Sequence, residues 1–96
     1  MAELRLTPSA LRDLEGIWFY TEQQWGEAQA AHCLDLLNAG FGALVLAPLC
    51  APACEHIRPG FRRHRVEHHV VYYRLVDDTV IVVRVLHERM DAIRHL

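Results

Sequence analysis

Lysine is absent from this chain, serine occurs once and cysteine only three times. The strongly basic side chains are therefore all arginines, which offer carboxylates and phosphates a planar fork of donors. An odd number of cysteines argues against a disulfide framework. No apolar run approaches the roughly 18 residues needed to cross a membrane, and the first residues lack the apolar stretch of a signal peptide. These absences predict a cytoplasmic protein with no membrane partner.

The length and composition predict one folded domain over residues 1–96. Hydrophobic residues make up 52 % of the chain, slightly above the usual share in globular proteins, so a disordered chain is excluded. A chain of 96 residues leaves no room for a second core. Folding at this size buries only about 60–65 % of the unfolded chain's surface. We therefore expect the folded chain to be modestly stable and to gain further stability on binding a partner.

Charge is divided unevenly between the two halves, although the net charge is only −2. Residues 1–55 carry two arginines and seven acidic residues, whereas residues 56–96 carry eight arginines and five acidic residues. Six of the seven histidines also lie in the second part. This split indicates an electropositive face for an anionic partner, either nucleic acid or an acidic protein segment. The alternative is a solvated sheet surface of mixed charge.

The first half predicts a short strand and a helical hairpin. Residues 3–6 alternate as a strand does, Thr7 and Pro8 form a helix start, and Gly26 separates that helix from a second one over 27–46. The predicted apolar stripes are Leu11, Leu14, Trp18, Thr21 and Trp25, widened by Ile17, in the first helix and Ala30, Leu34, Leu37, Phe41 and Leu44 in the second. Gly40 and Gly42 predict either a frayed helix end or a close approach by another backbone.

The second half predicts strands. After a loop over 47–60, residues 61–66 alternate weakly, and 69–76 and 79–87 are rich in β-branched residues on either side of an Asp-Asp turn. The predicted fold class is α+β: an N-terminal strand, an α-helical hairpin and then a three-stranded antiparallel sheet.

The arginines and histidines of the strands are the candidates for chemistry. A histidine beside arginines is the minimum needed to cleave RNA, because it moves a proton while the cations stabilise charge on the phosphorane. Glu67 and Glu88 are the only acids placed to assist. The chain lacks a glycine-rich phosphate loop and a metalloprotease motif, so no cofactor is expected. Cys50 and Cys54 favour two ordinary loop thiols over a zinc site, since a closed site needs four ligands.

The chain resembles the ParE-type toxins of the RelE/ParE superfamily, from type II toxin–antitoxin modules. Three stretches carry the resemblance: 10–20 with 25–30, 57–63 leading to 69–74, and 81–91 (Ile-Val-Val-Arg-Val-Leu-His-Glu-Arg-Met-Asp). The third is the most specific, and the match spans residues 3–91. The order of helices and strands predicted from periodicity agrees with the fold of this family.

The resemblance implies a toxin silenced by a cognate antitoxin of ParD-like type, whose acidic C-terminal segment folds along it in a hetero-oligomer. The ParE branch poisons DNA gyrase, whereas the RelE branch cuts mRNA on the ribosome. This chain lacks the lysines and the late tyrosine of the RelE branch, which favours a binding poison. A third possibility is a module that only binds its antitoxin.

These expectations assign roles to particular residues. The expected target-binding residues are Arg84, His87, Arg89 and Met90. The expected antitoxin-binding residues are Arg62, Arg63, Arg65 and Arg74. If the chain is a ribonuclease instead, the catalytic residues are His87, Arg65, Arg74 and Arg84. Arg84 has a structural alternative, in which it fixes the C-terminal tail by hydrogen bonds, and His87 has one as a strand-end histidine that caps a backbone carbonyl.

Overall fold

The computed structural model describes residues 2–96, and its helices and strands lie where the sequence predicts them. In chain order they are β1 (Glu3–Leu6), α1 (Pro8–Trp25), α2 (Glu27–Leu46), β2 (Phe61–Val66), β3 (His69–Val76), β4 (Thr79–His87) and α3 (Ala92–His95). Only α3, a single turn near the end of the chain, was not predicted. None of the helices in this part of the chain is long and apolar enough to span a membrane.

Thr7 joins β1 to α1 and also ties both to β4. Its hydroxyl accepts a hydrogen bond from the Ala10 amide at 3.1 Å, which caps the helix, and donates one to the Val83 carbonyl at 2.7 Å. Gly26 lies between the helices with φ at +95°, a conformation that costs glycine little. The predicted start and end of α1 are therefore confirmed.

The sheet has four strands in the order β1-β4-β3-β2 and is mixed. The three antiparallel strands are as predicted, but β1 joins them by pairing parallel to β4. This makes β4 a central strand, which explains its nearly continuous apolar sequence. Asp77 and Asp78 form the predicted turn between β3 and β4, with φ values of 47° and 63° that suit a two-residue hairpin.

Both faces of the sheet are covered. The helical hairpin packs on one face, and a smaller cluster formed with the loop over 47–60 and α3 covers part of the other. The buried residues on the helix side include Ala10, Leu37, Phe41, Leu44, Val71, Tyr73, Val80, Val82 and Val85. Those on the opposite face are Cys54, Phe61, Tyr72, Leu86 and Ala92. The Tyr73 hydroxyl donates to the Pro48 carbonyl at 2.6 Å and so anchors the loop.

The predicted stripe of α1 is wrong at both ends. Leu11 is 51 % exposed and Trp25 is 73 % exposed, so neither belongs to the core. The inward side of the helix carries the predicted Leu14, Ile17 and Thr21 together with Ala10, which was not predicted. Small side chains at its two ends let α1 lie close to β4, and the helix is rotated by about one residue from the orientation that the largest apolar residues favour.

Neither alternative predicted for the α2 glycines is confirmed, although another element does approach Gly40 closely. A Cβ at Gly40 would lie 2.8 Å from Cγ2 of Val66 on β2, whereas a Cβ at Gly42 would meet nothing within 4 Å. The neighbour is a side chain rather than a backbone, and α2 continues in regular helical conformation past both glycines.

Candidate functional site

Three histidines meet where β3 begins and β4 ends. His69 and His87 are opposite each other in the strand pair, with ring centroids 5.5 Å apart in an edge-to-face arrangement. His68, in the turn that follows β2, stacks on His87 at 6.5 Å. Strand pairing therefore brings His87 next to His68 and His69, although it lies almost twenty positions further along the chain.

Glu88 is the acidic member of this cluster. Its carboxylate forms an ion pair with Arg65 and lies 3.2 Å from Nδ1 of His68, while its amide donates to the His68 carbonyl at 2.8 Å. The hydrogen bond with His68 lowers the pKa of Glu88, and the charge of Arg65 lowers it further. Glu88 was one of two acids named from the sequence as a partner, and it is the one that reaches the histidines.

The environment of the histidines disfavours charge on His69. Burial lowers the pKa of His69, and the neighbouring His87 and His68 lower it further. His87 accepts a hydrogen bond at Nδ1 from the Arg89 amide at 3.1 Å. It caps a backbone donor, where the sequence suggested a carbonyl.

Two grooves run along α1 on either side of His69 and His87. The first has a volume of about 700 Å³ and lies between the helical hairpin and the β2–β3 turn; its lining includes Trp25, His32, Cys33, Glu67 and His68. The second, of about 570 Å³, lies between α1 and the segment after β4; its lining includes Arg12, Ile17, Arg89 and Met90. Tyr20, which is 67 % exposed, borders both. Aromatic and basic groups of this kind suit a protein segment better than a small molecule.

Arg84 is not part of either groove. Its Nε and Nη2 donate to the Asp13 carboxylate at 2.7 and 2.8 Å, and its Nη1 donates to the His95 carbonyl at 2.8 Å. The hydrogen bond to Asp13 raises the pKa of Arg84. This is the geometry of the structural alternative, in which the arginine fixes the C-terminal tail.

The four residues named for ribonuclease chemistry do not converge. Of the four, only His87 lines a groove. Arg84 is held by Asp13, and Arg65 is held by Glu88. Arg74 is exposed and lies opposite Phe61 on the face away from the helices. None of the three arginines named for this chemistry therefore lies beside His87; the arginines that line the second groove with it are Arg12 and Arg89.

The four arginines expected to bind an antitoxin are divided between the two faces of the sheet. Arg63, Arg65 and Arg74 lie on the face away from the helices, as the alternation of the strands predicts for the first two. Arg62 points to the helix side and donates to the Ala51 carbonyl at 2.7 Å. Arg62 therefore anchors the loop over 47–60 instead of joining the others.

The cysteines have three different environments. Cys50 is exposed, Cys54 is fully buried beneath the loop, and Cys33 is partly buried at the first groove. Burial raises the pKa of both Cys33 and Cys54, which disfavours a reactive thiolate at either. Cys54 is thus a core residue, not the ordinary loop thiol expected. Within residues 2–96 no three His, Cys, Asp or Glu side chains are grouped to hold a metal ion.

Two contributors to this region were missed from the sequence. Asp13 lies on the flank of the α1 stripe, and nothing in its local sequence distinguishes it from a solvated helix residue. Tyr20 falls outside the predicted stripe, and nothing in the sequence indicated that it borders both grooves.

Comparison with known proteins assigns this fold to a family. Residues 4–92 match the family model described as the ParE toxin of type II toxin–antitoxin systems, parDE. The chain belongs to the ParE toxin family. Toxin ParE1 of Caulobacter vibrioides is 41 % identical over 96 residues, covering 100 % of this chain and 99 % of that protein. Toxin ParE1 of Mycobacterium tuberculosis (strain H37Rv) is 40 % identical over 92 residues, covering 95 % and 94 %. The resemblance inferred from sequence is confirmed.

Solved structures agree with the fold of this ParE-family toxin. A chain of the chromosomal ParDE toxin–antitoxin system from P. aeruginosa superposes with a TM-score of 0.81 at 18 % identity, covering 91 % of this chain and 96 % of that one. The RelBE2 toxin–antitoxin complex of M. tuberculosis gives a TM-score of 0.59 at 26 % identity, covering 90 % and 96 %. These structures therefore confirm the fold, while the family assignment rests on the sequence matches.

Proposed function

We propose that this ParE-family toxin inhibits growth by binding and poisoning DNA gyrase, and that it breaks no bond itself. The supporting observation is the arrangement of Arg84, because the arginine that a ribonuclease would place beside His87 is bound to Asp13 and the His95 carbonyl. Cleavage of RNA needs a cation at the developing phosphorane charge. Because none of Arg65, Arg74 and Arg84 reaches the grooves that His87 lines, we propose that the toxin acts by occupying its target.

The proposed target surface lies around the end of β4. His87 is half-buried there, Arg89 is exposed, and Met90 is 40 % exposed. Tyr20 and Trp25 on α1 add large exposed aromatic area across the grooves. Aromatic, methionine and arginine side chains are enriched at protein interfaces. Arg84 supports this surface by fixing β4 to α1 and is not itself expected to contact the target.

We further propose that an antitoxin with an acidic C-terminal segment covers the toxin in a hetero-oligomer. Arg63 and Arg74 are exposed on the same face of the sheet, where their guanidinium groups are accessible to carboxylates. Arg65 contributes only if its ion pair with Glu88 is exchanged for one with the antitoxin. The solved relatives are described as a ParDE system and a RelBE2 complex, which is consistent with such a partner.

Two reactions run side by side test the target. The purified chain is added to a gyrase supercoiling assay and to a translation reaction followed by primer extension on the mRNA. We expect loss of supercoiling and intact mRNA. Arg89→Glu should weaken gyrase inhibition by tenfold or more, whereas Arg94→Glu, an equal charge reversal at a residue outside both grooves, should leave it unchanged. Site-specific mRNA cuts with normal supercoiling would refute the proposal in favour of a ribonuclease.

Antitoxin binding is tested with the product of the neighbouring reading frame. Co-purification with the wild-type chain should succeed, and the double variant Arg63→Glu/Arg74→Glu should weaken binding, because both substitutions oppose an acidic segment. Arg12→Glu, on the helix side, is the matched control. If induction of the chain alone leaves growth normal while the antitoxin still binds, the protein is a module that only binds its antitoxin.

A further inference from the structure

The outer edge of β1 carries backbone groups with no neighbouring strand among residues 2–96. The strand order places β1 at one end of the sheet, with β4 as its one neighbour. The Glu3 amide donates to the Asp78 carbonyl and the Thr7 amide to the Val82 carbonyl, so these residues turn their peptide groups towards β4. Peptide groups alternate along a strand. The amides and carbonyls of Leu4 and Leu6 therefore point to the open edge.

The side chains at this edge divide into an apolar and a charged set. Leu4 is opposite Val80, a residue buried beneath the helices, so Leu4 lies on the helix side of the sheet, where it is 37 % exposed. The Ala2 amide donates to the Val45 carbonyl at 3.1 Å, which brings the end of α2 to the start of β1. Leu46 follows and is 72 % exposed. Glu3 and Arg5 are exposed on the other side.

We propose that β1 is a self-association surface, on which the β1 strand of a second copy of this chain pairs antiparallel about a two-fold axis at Leu4. In this register Leu4 faces Leu4 of the second copy and the two exchange both hydrogen bonds. The Leu6 amide of each copy then donates to the Ala2 carbonyl of the other. The Ala2 amide stays bound to Val45, so the Leu6 carbonyl of the other copy receives no hydrogen bond from it. The result is a continuous eight-stranded sheet with both helical hairpins on one face.

Charge complementarity identifies the second copy as the occupant. Around an axis at Leu4, Glu3 of each chain lies opposite Arg5 of the other, at the closely spaced, non-hydrogen-bonded positions where side chains interact most strongly. An axis at Glu3 or at Arg5 would also use outward-facing peptide groups, but it would place like charges opposite each other at the axis. The sequence Glu-Leu-Arg is therefore complementary to itself in the register centred on Leu4, whereas the registers centred on Glu3 and Arg5 oppose like charges.

Apolar contacts complete the surface. A two-fold axis perpendicular to the sheet places the helix sides of the two copies next to each other, so Leu4 and Leu46 of both chains lie near the axis. An exposed strand edge with flanking leucines is the feature that proteins otherwise protect from pairing. Because β1 has only four residues, we expect a reversible dimer whose population rises with concentration.

Sedimentation velocity of the full chain over a wide concentration range tests the dimer. The wild type should shift from monomer to dimer as concentration rises. Arg5→Glu places carboxylates at both positions across the axis and should raise the dimer dissociation constant tenfold or more. Glu3→Arg should do the same with two cations. The double variant Glu3→Arg/Arg5→Glu restores opposite charges with the order reversed and should recover the wild-type constant.

Controls separate loss of pairing from loss of folding. Each variant is compared with the wild type by circular dichroism and urea unfolding, and Arg94→Glu serves as a charge reversal away from β1. A wild type that stays monomeric at every concentration would overturn the proposal. So would a double variant that is folded but does not recover dimerisation, or an edge that binds an added antitoxin while the chain alone remains monomeric.

Discussion

The carboxylate of Asp13 in α1 binds Arg84 in β4 through two parallel hydrogen bonds of 2.7 and 2.8 Å and also accepts the Val85 amide at 2.9 Å. β1 ends at Leu6, so the edge of β4 beyond it has no strand neighbour to satisfy its backbone. Thr7 binds this edge at the Val83 carbonyl, and Asp13 binds it at Val85. The first turns of α1 thus replace the missing continuation of β1.

Removing the Asp13 carboxylate should cost much of the stability of this fold. Asp13→Ala leaves the Arg84 guanidinium and the Val85 amide without their partner, and both sites are largely buried, with Asp13 only 15 % exposed. We expect a loss of about 2–3 kcal/mol in the free energy of unfolding, measured by urea denaturation. Glu15→Ala, at an exposed position of the same helix, should change it by less than about 0.5 kcal/mol. Similar values for both would contradict the role of Asp13.

The two glycines of α2 should respond in opposite directions to alanine. At Gly42 nothing lies within 4 Å of a new Cβ, so Gly42→Ala should stabilise the chain by about 1 kcal/mol through helix propensity. At Gly40 the new Cβ would lie 2.8 Å from the stiff side chain of Val66, so Gly40→Ala should destabilise it. Denaturation midpoints measure both, and Val66→Ala should relieve part of the Gly40→Ala defect. Stabilisation by Gly40→Ala would show that α2 does not approach β2 so closely.

Stability should fall as the pH drops below about 6.5, the ordinary pKa of histidine. Burial lowers the pKa of His69 in the folded chain. Between that lowered pKa and 6.5 the unfolded state binds more protons than the folded state, so protonation favours unfolding. Urea midpoints against pH should show this slope, and His69→Gln should flatten it. His56→Gln, at an exposed loop position, is the control, and an unchanged slope in His69→Gln would disprove the assignment.

Glu88 should add a second loss of stability at lower pH. Its pKa is lowered from 4.5 by the hydrogen bond with His68, so its contribution is present above that value and disappears as pH falls through the lowered pKa. In the same urea series, Glu88→Gln should remove the part of the pH dependence found below about pH 4.5 and leave the histidine part in place. Asp35→Gln, an exposed acid of α2, should retain both parts. A Glu88→Gln curve that matches the wild type would contradict the His68–Glu88 contact.

The three thiols should react with a thiol-modifying reagent in a fixed order. Cys50 is exposed and should react at once, Cys33 is partly buried and should react more slowly, and Cys54 is fully buried and should react only on unfolding. Burial also keeps Cys33 and Cys54 in the unreactive thiol form by raising their pKa. Mass spectrometry of the native chain over time gives the order. Early labelling of Cys54 would contradict the packing of the loop over 47–60, and Cys50→Ser should remove the fast phase.

Much of the fold could be predicted because its signals are local. The Thr7-Pro8 start, Gly26 and the Asp77-Asp78 turn each act through their own backbone geometry, and the structure has element boundaries at all three. The position of β1 could not be predicted in this way, since pairing Glu3–Leu6 with β4 depends on contacts across more than seventy residues. The prediction of the α1 stripe was wrong for a related reason. The side of α1 that packs on β4 carries small side chains at its two ends, and the large apolar Leu11 and Trp25 are exposed.

The candidate site shows the same division. The sequence by itself determined the family, the helices and strands, the basic and histidine-rich second half, and the common face of Arg63 and Arg65, because alternation along one strand is a local property. Only the tertiary structure decided which arginines are free. Arg84 is bound to Asp13, Arg65 to Glu88 and Arg62 to Ala51. Strand pairing or helix packing brings each partner to its arginine, and the residues next to the arginine in sequence do not indicate that contact.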